Sequence, residues 1–265
     1  MDSYIDNTLF HYTSLDTFMK YILPTKKLKL GRIMNSRDPY EYHSFGIYFM
    51  NGEPLQNDIS FENFLNAARA LKLNSQYLCF CLPEIKQIGS NYYMRRGYDK
   101  PKLWELYGDN HRGVCIKLNK ARVISEFTAK MAGLQNGQIA YDKITYKDIV
   151  HKSQAIEPQT LKSYYLDVGH FDEADFIEVF KQSFFFQKDY DYQDENEFRL
   201  AYITSLQQED LRIDISNAVT ALYFGDKVEI GFIEYYKKQL MKEFPELKIT
   251  HIHWFNGTID LSAYS

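Results

Sequence analysis

Tyr77-Leu78-Cys79-Phe80-Cys81-Leu82 is a continuous apolar run of strand length, closed by Pro83. A run of this length without polar alternation predicts a central strand covered on both faces. On its N-terminal side, Ser60 opens a helix whose stripe is Phe61, Phe64, Leu65, Ala68 and Leu71, and Lys27 to Arg32 alternates with Leu28 and Leu30 on one face. Before these, Ser14 caps a short amphipathic helix carrying Leu15, Phe18, Met19 and Ile22, which Pro24 stops. On the C-terminal side, Pro101 and Gly108 bracket a short helix with Trp104 and Tyr107 on one face, and Gly113 to Leu118 reads as a strand. Asn119 caps a helix running through Val123 and Phe127 to Gly133, Ile139 to Tyr146 is a strand, and Asp172 to about Lys188 is an apolar helix containing Phe184-Phe185-Phe186. An acidic loop, 189–196, leads into the strand Glu197 to Ile203; strands at 211–215 and 219–224, a helix over about 230–244 and a last strand at 249–255 complete the chain.

The elements are interspersed without a steady βαβ rhythm, no internal repeat is visible, and no Gly/Ser/Pro-rich break divides the chain. A single α+β domain over residues 1–265 is therefore expected. The composition is that of a globular protein: 45% hydrophobic, 25% charged, with only 13 Gly and 7 Pro, which excludes collagen-like and low-complexity chains. A net charge of −4 argues against coating nucleic acid or anionic membrane by bulk electrostatics, while leaving room for a local basic groove. The N-terminus lacks a basic region followed by an apolar stretch, and no window of about 18 apolar residues exists, so a soluble cytoplasmic protein is expected. Cys79, Cys81 and Cys115 read as buried reduced thiols. The unusual quantity is aromatic content, with 22 Tyr and 19 Phe, which suits either a Tyr-rich core or a cleft that stacks planar ligands.

Four separated stretches set polar groups beside strand or helix ends: His11-Tyr12-Thr13-Ser14, Arg37-Asp38-Pro39-Tyr40-Glu41, Trp104 to Gly113, and Glu195-Asn196-Glu197-Phe198-Arg199. With Cys79-Phe80-Cys81 between them, they resemble the hallmarks of the DUF2971 family: an early His-Tyr-Thr, an Asn-Asp-Pro-aromatic-Glu loop, a Cys-Phe-Ser strand, a Trp-x-x-Tyr helix leading to a Gly-led strand, and a Glu-x-Glu-aromatic-Arg strand. Two positions depart from that pattern, Arg37 in place of Asn and Cys81 in place of Ser. The family in turn resembles a divergent branch of the ADP-ribosyltransferase fold, which implies a split, mostly antiparallel sheet and an NAD site built from an early-strand His, a central aromatic and a late-strand Glu. Carried onto this chain, these are His11, Tyr107 or Trp104, and Glu197.

The chemistry behind those residue types can be stated on its own terms. Breaking the nicotinamide glycosidic bond passes through an oxocarbenium-like sugar, so a carboxylate beside the ribose, here Glu197, stabilises developing positive charge and orients a hydroxyl. His11 would bond ribose hydroxyls, Tyr12 and Thr13 would contact the nicotinamide or adenosine, Tyr107 or Trp104 would stack the nicotinamide ring, and Arg37 or Arg112, beside Asp38, would neutralise the pyrophosphate. Arg199 lies on the strand face of Glu197 and either binds substrate or pairs with that carboxylate; Glu195 shares the face and supplies a second acid for the acceptor.

The function these resemblances imply is NAD-dependent transfer of ADP-ribose onto a macromolecule, without a metal, in a toxin or anti-phage defence role with a possible antitoxin or chaperone partner. Nucleic acid, RNA or single-stranded DNA, is the preferred acceptor, because Tyr92, Tyr93, Arg95 and Arg96 combine stacking rings with cations; the plain alternative for that stretch is a surface loop. A noncatalytic nucleotide-binding or interaction module and an NAD glycohydrolase are the competing functions. His251 and His253 form His-x-His without a clear third metal ligand, and Glu246-Leu247-Lys248 is a chance-level echo of a nuclease signature.

Overall fold

The computed structural model describes residues 7–38, 41, 59–147, 158–244, 247–255 and 258–260. Its strands are β1 (Thr8–Thr13), β2 (Lys27–Lys29), β3 (Gly31–Arg32), β4 (Gln76–Cys81), β5 (Glu84–Ile88), β6 (Asn91–Arg95), β7 (Val114–Asn119), β8 (Gln138–Lys143), β9 (Thr145–Lys147), β10 (Gln187–Asp189), β11 (Glu197–Ile203), β12 (Arg212–Asp214), β13 (Val219–Phe224), β14 (Lys248–His251), β15 (His253–Phe255) and β16 (Thr258–Asp260). The main sheet runs β14-β13-β7-β1-β4-β11-β8, with β3 also paired to β4. Its pairs are antiparallel apart from the parallel β13–β14 edge, so the expected α+β class with a largely antiparallel core is what the chain forms. β4 lies between β1 and β11, in the middle of the sheet, where its apolar run predicts it.

Strand alternation sorts the side chains onto two faces. Leu9, Leu78, Phe80, Val114, Ile116, Leu118, Phe198 and Leu200 form one continuous core with Phe18, Val123, Phe127, Ile233 and Leu240 from the helices. The other face carries two separate clusters. One is built on Tyr77, Ala201 and Ile203 against Phe176, Phe180 and Phe185; the other joins Phe10, Tyr12, Cys115 and Tyr223 to Trp104. Between them β4 and β11 present Cys79, Glu197 and Arg199, and among the described residues no apolar layer bridges the gap.

The helices are α1 (Leu15–Thr17, a π turn Phe18–Ile22, and Leu23–Thr25), α2 (Ile59–Asn74), α3 (Pro101–Leu106), α4 (Lys120–Ala132), α5 (Pro158–Val168), α6 (Glu173–Phe185) and α7 (Ile230–Glu243). Ser14, Asn119 and Asp172 cap α1, α4 and α6 by accepting the backbone N–H groups of Thr17, Arg122 and Asp175. Several boundaries differ from the sequence reading. Pro24 does not stop α1: the wide π turn ahead of it absorbs the missing donor, and the helix ends at Lys26 in the left-handed region. The alternating stretch 27–32 divides at Leu30, with β2 paired to β12 and β3 to β4. Strand 139–146 divides at Ile144 into β8 and β9, and strand 249–255 breaks at Ile252. α6 ends at Phe185, so Lys188 belongs to β10, not to the helix. The acidic loop contains a 3-10 turn, Tyr190–Glu195, with Asp189 and Glu195 buried. α5 had no counterpart in the sequence reading.

Candidate functional site

β1 and β4 are adjacent, yet their register is carried by Phe10 and Cys81. Toward Thr13 the two strands part, and His11 enters the opening: its Nδ1 lies 3.1 Å from the Cys79 carbonyl oxygen, and its ring meets Phe80 edge-on. That contact fixes the Nδ1–H tautomer and leaves Nε2 as an acceptor. Burial lowers the His11 pKa and the bond to Cys79 only partly restores it, so the ring is neutral at pH 7.

A cavity of about 410 Å³ occupies the opening. Its polar lining includes His11, Arg32, Arg37, Glu41, Tyr107, Lys188, Glu195, Glu197 and Arg199, with Phe10, Tyr12, Tyr77 and Leu103 as apolar wall. Cys79 also lines it, so this thiol is reached through the cavity, whereas Cys81 and Cys115 are buried as expected. Burial, followed by the charge of Glu197, raises the Cys79 thiol pKa well above its ordinary value, which keeps it protonated and a poor nucleophile.

The cavity floor is an ion network. Arg199 donates Nε to Glu197 Oε1, one terminal nitrogen to Glu41 Oε1 and the other to the Phe185 carbonyl, each at 2.7 Å. Lys188 Nζ lies 2.7 Å from Glu195 Oε2 and 2.8 Å from Glu197 Oε2. Glu41 also accepts from the Ser36 hydroxyl. Burial would raise the Glu197 carboxyl, but Arg199 and Lys188 outweigh it and hold that group well below the usual carboxylate range. For Glu195 burial wins: its pKa is raised despite Lys188 and the Tyr107 hydroxyl, which donates to Oε1 at 2.5 Å. The Arg37 guanidinium stands 5.1 Å from the Tyr107 ring centre, so one face of that ring already carries a cation.

The structure therefore gathers His11, Tyr12, Arg37, Tyr107, Glu195, Glu197 and Arg199 around one cavity, although they come from distant parts of the chain. Of the alternatives left open, Tyr107 lines the cavity and Trp104 does not: Trp104 is fully buried and donates Nε1 to the Tyr98 carbonyl at 2.8 Å, a core anchor and not a cofactor contact. Arg37 likewise lies at the cavity, whereas Arg112 is exposed and pairs with Asp109. Thr13 is buried and does not line the cavity, and Asp38, also outside the lining, is buried where its carboxylate accepts the Asp189 N–H at 3.5 Å. Arg199 pairs with Glu197, and three of its five N–H donors are taken by Glu197, Glu41 and the Phe185 carbonyl.

Tyr92, Tyr93, Arg95 and Arg96 lie outside the cavity, on or beside the β5–β6 hairpin and not in an irregular loop. Tyr92 and Tyr93 are exposed, while Arg95 reaches toward Glu84 and Asp194 at 3.7 and 3.6 Å. Pro39, Tyr40 and Glu246 lie outside the described residues. His251 and His253 meet edge-to-face at 4.4 Å, and among the described residues no group of three His, Cys, Asp or Glu is arranged to hold a metal. No helix among them is long and apolar enough to cross a membrane.

Lys188, Glu41 and Arg32 were missed as site residues by the sequence reading. The available signal for Lys188 was Phe184-Phe185-Phe186: three consecutive apolar residues cannot share one helical stripe, and they mark the end of α6.

Residues 103–200 match the family described as "Protein of unknown function (DUF2971)". The matched segment holds the Trp104–Gly113 and Glu195–Arg199 motifs, so the family resemblance is borne out there, while the His11 and Arg37 stretches lie outside it. No curated protein and no solved structure matches the chain.

Proposed function

From a chain that carries a DUF2971 segment along one wall of an ion-lined cleft, we propose an NAD-dependent ADP-ribosyltransferase that acts on a macromolecule, with single-stranded nucleic acid as first acceptor. The observation that carries this reading is the convergence of His11, Tyr107 and Glu197 on the cavity where β1 and β4 part. Their roles follow from where charge develops. As the bond between ribose C1′ and the nicotinamide nitrogen breaks, its electron pair leaves with neutral nicotinamide, and positive charge builds on the sugar. Glu197 is ionised at any physiological pH and supplies the facing negative charge. His11 Nε2 accepts a ribose hydroxyl, and Arg37 with Arg32 at the cavity rim offsets the diphosphate. The acceptor atom then bonds C1′ and its proton passes to Glu195. The setting proposed for this activity is a cytoplasmic toxin or defence effector, held in check by an antitoxin or chaperone.

A second reading is favoured by one specific feature: Glu197 is bonded to two buried cations, as a purely structural carboxylate would be. That reading is a nucleotide-binding module without turnover. Incubating the protein and its Glu197→Gln variant with NAD, and separately with RNA, single-stranded DNA or cell lysate, distinguishes them through nicotinamide release and adduct mass. Transfer predicts an adduct on one acceptor class that the variant does not form. Nicotinamide release unaffected by any acceptor turns the reading to NAD hydrolysis, and NAD binding without turnover turns it to the module.

A further inference from the structure

Three carboxylates reach the same cavity floor, Glu41 from early in the chain and Glu195 and Glu197 from one later stretch. Carboxylates this close share protons unless a cation lies between them. The two cations present divide the work. Arg199 is turned inward, where its bond to the Phe185 carbonyl ties it to the end of α6. Lys188 stands at the cavity with one nitrogen between two carboxylates, 2.7 Å from Glu195 and 2.8 Å from Glu197, and 3.8 Å from Glu41. The Tyr192 ring covers it at 5.5 Å. The other groups facing this set are Tyr107 on Glu195, the Tyr146 hydroxyl accepting the Glu197 N–H, the Cys79 thiol beside Glu197, and the Lys72 ammonium, whose charge interacts with Glu41, Arg199 and Asp38.

We propose that Lys188 is a positioning residue: its ammonium clamps Glu195 and Glu197 side by side as carboxylates, which keeps Glu195 available to take the acceptor's proton. The last step rests on the ADP-ribosyl transfer reading; the clamp itself does not. Lys188 is suited to this because its neighbours Glu197, Glu41 and Glu195 outweigh the cost of burial and keep it charged. Its position directly after α6 fixes the nitrogen through the short parallel pairing of β10 with β9.

The test uses the full chain with carbon-13 at the Glu carboxyls, as wild type, Lys188→Met and Lys188→Arg. In Lys188→Met one proton binds the Glu195–Glu197 pair at a pH higher by at least about one unit, the scale of a lost neighbouring charge. The acid limb of the kcat profile for nicotinamide release moves by the same amount with KM for NAD unchanged, and Lys188→Arg restores both. A lysine that only filled space would lower stability and leave the carboxyl titration in place, which would overturn the proposal. Should Lys188→Met not fold, the wild type decides the matter: a clamped Lys188 ammonium shows a nitrogen-15 shift that follows the protonation of both Glu195 and Glu197, and a shift that follows only one of them overturns the proposal. If the titration moves as stated but the wild type never cleaves NAD, the transfer reading falls, and with it the base role of Glu195, while the clamp stands.

Discussion

His11 and Cys79 meet across the gap between two neighbouring strands, the imidazole Nδ1 standing 3.1 Å from the Cys79 carbonyl oxygen. One side chain thus satisfies a carbonyl at the place where the sheet opens, and the same ring forms part of the cavity wall. His11→Ala removes that bond and is expected to cost about 1 kcal/mol in chemical denaturation, the usual net value of one hydrogen bond. The pH dependence carries a sign. Because the folded pKa of His11 lies below the ordinary 6.5, the unfolded chain takes up a proton that the folded ring refuses, and stability falls as pH drops below about 6.5. His251, also lowered by burial, titrates in both proteins, so the difference between wild type and His11→Ala isolates His11. The wild-type advantage should shrink on going from pH 7.5 to pH 5; a constant gap would show that His11 is not held neutral.

Glu197→Gln should lose stability as well as activity. The change leaves Lys188 and Arg199 with less charge to answer them, and breaking a buried pair costs about 3–5 kcal/mol. The low end is expected, since Lys188 keeps Glu195 and Arg199 keeps Glu41 and the Phe185 carbonyl. Glu197 is held below its ordinary value, so its contribution is complete above about pH 4.5 and is lost as pH falls through the folded pKa. Urea titrations at pH 7 and pH 3.5 should therefore both show a large difference between the two proteins, somewhat reduced at the second, because pH 3.5 lies just below the unfolded value and still above the folded one.

Tyr107 and Trp104 lie three residues apart in sequence, and their substitutions should differ in their effect on turnover. Tyr107→Phe keeps the ring under Arg37 but removes the donor to Glu195, whose pKa then rises further, because that hydrogen bond lowers it. Nicotinamide release should lose its acid side, and the buried Glu195 oxygen left without its donor costs about 1–3 kcal/mol. Trp104→Phe leaves release untouched. It vacates part of a fully buried site and leaves the Tyr98 carbonyl without its donor, costing about 1–3 kcal/mol with turnover per folded molecule unchanged. Equal effects of the two changes on turnover would contradict this division.

The parts of this fold that were legible are those in which a local pattern meets a single demand. β4 reads as a central strand because an unbroken apolar run has nowhere else to go, and Ser14, Asn119 and Asp172 read as caps because the first helical N–H groups require an acceptor. The site was legible through its strand-borne members: Glu197 and Arg199 share a face by their spacing alone, whereas Glu195 ends the 3-10 turn ahead of β11. Lys188 was not, because a lysine after an apolar stripe reads as a solvated helix end, and its burial is dictated by carboxylates from other segments. Asp38 and Glu41 belong to the same class, with roles set by long-range partners. Trp104 shows the converse difficulty: a face shared with Tyr107 over a short helix could not say which ring faced the core.

The hairpin β5–β6 carries the last prediction. Tyr92 and Tyr93 are 71% and 51% exposed, so replacing both with Ala removes no buried packing and should leave the melting temperature within about 1 °C of wild type. Its base is fastened to the segment that precedes Glu197: Lys100 donates to the Asp194 carbonyl at 3.0 Å and Asn196 donates to the Leu82 carbonyl at 3.1 Å. A strand of RNA or DNA stacked on those rings would therefore be held beside the cleft, with Arg96 offering a charge to its backbone. Stacking on an aromatic ring is worth about 1–3 kcal/mol per base, so the double variant should bind single strands at least about tenfold more weakly and lose the nucleic-acid adduct. NAD cleavage without an acceptor should persist, because neither tyrosine reaches the cavity. Adding salt should weaken the wild type as phosphate contacts are screened, whereas undiminished transfer to nucleic acid by the double variant would point to an acceptor of another class.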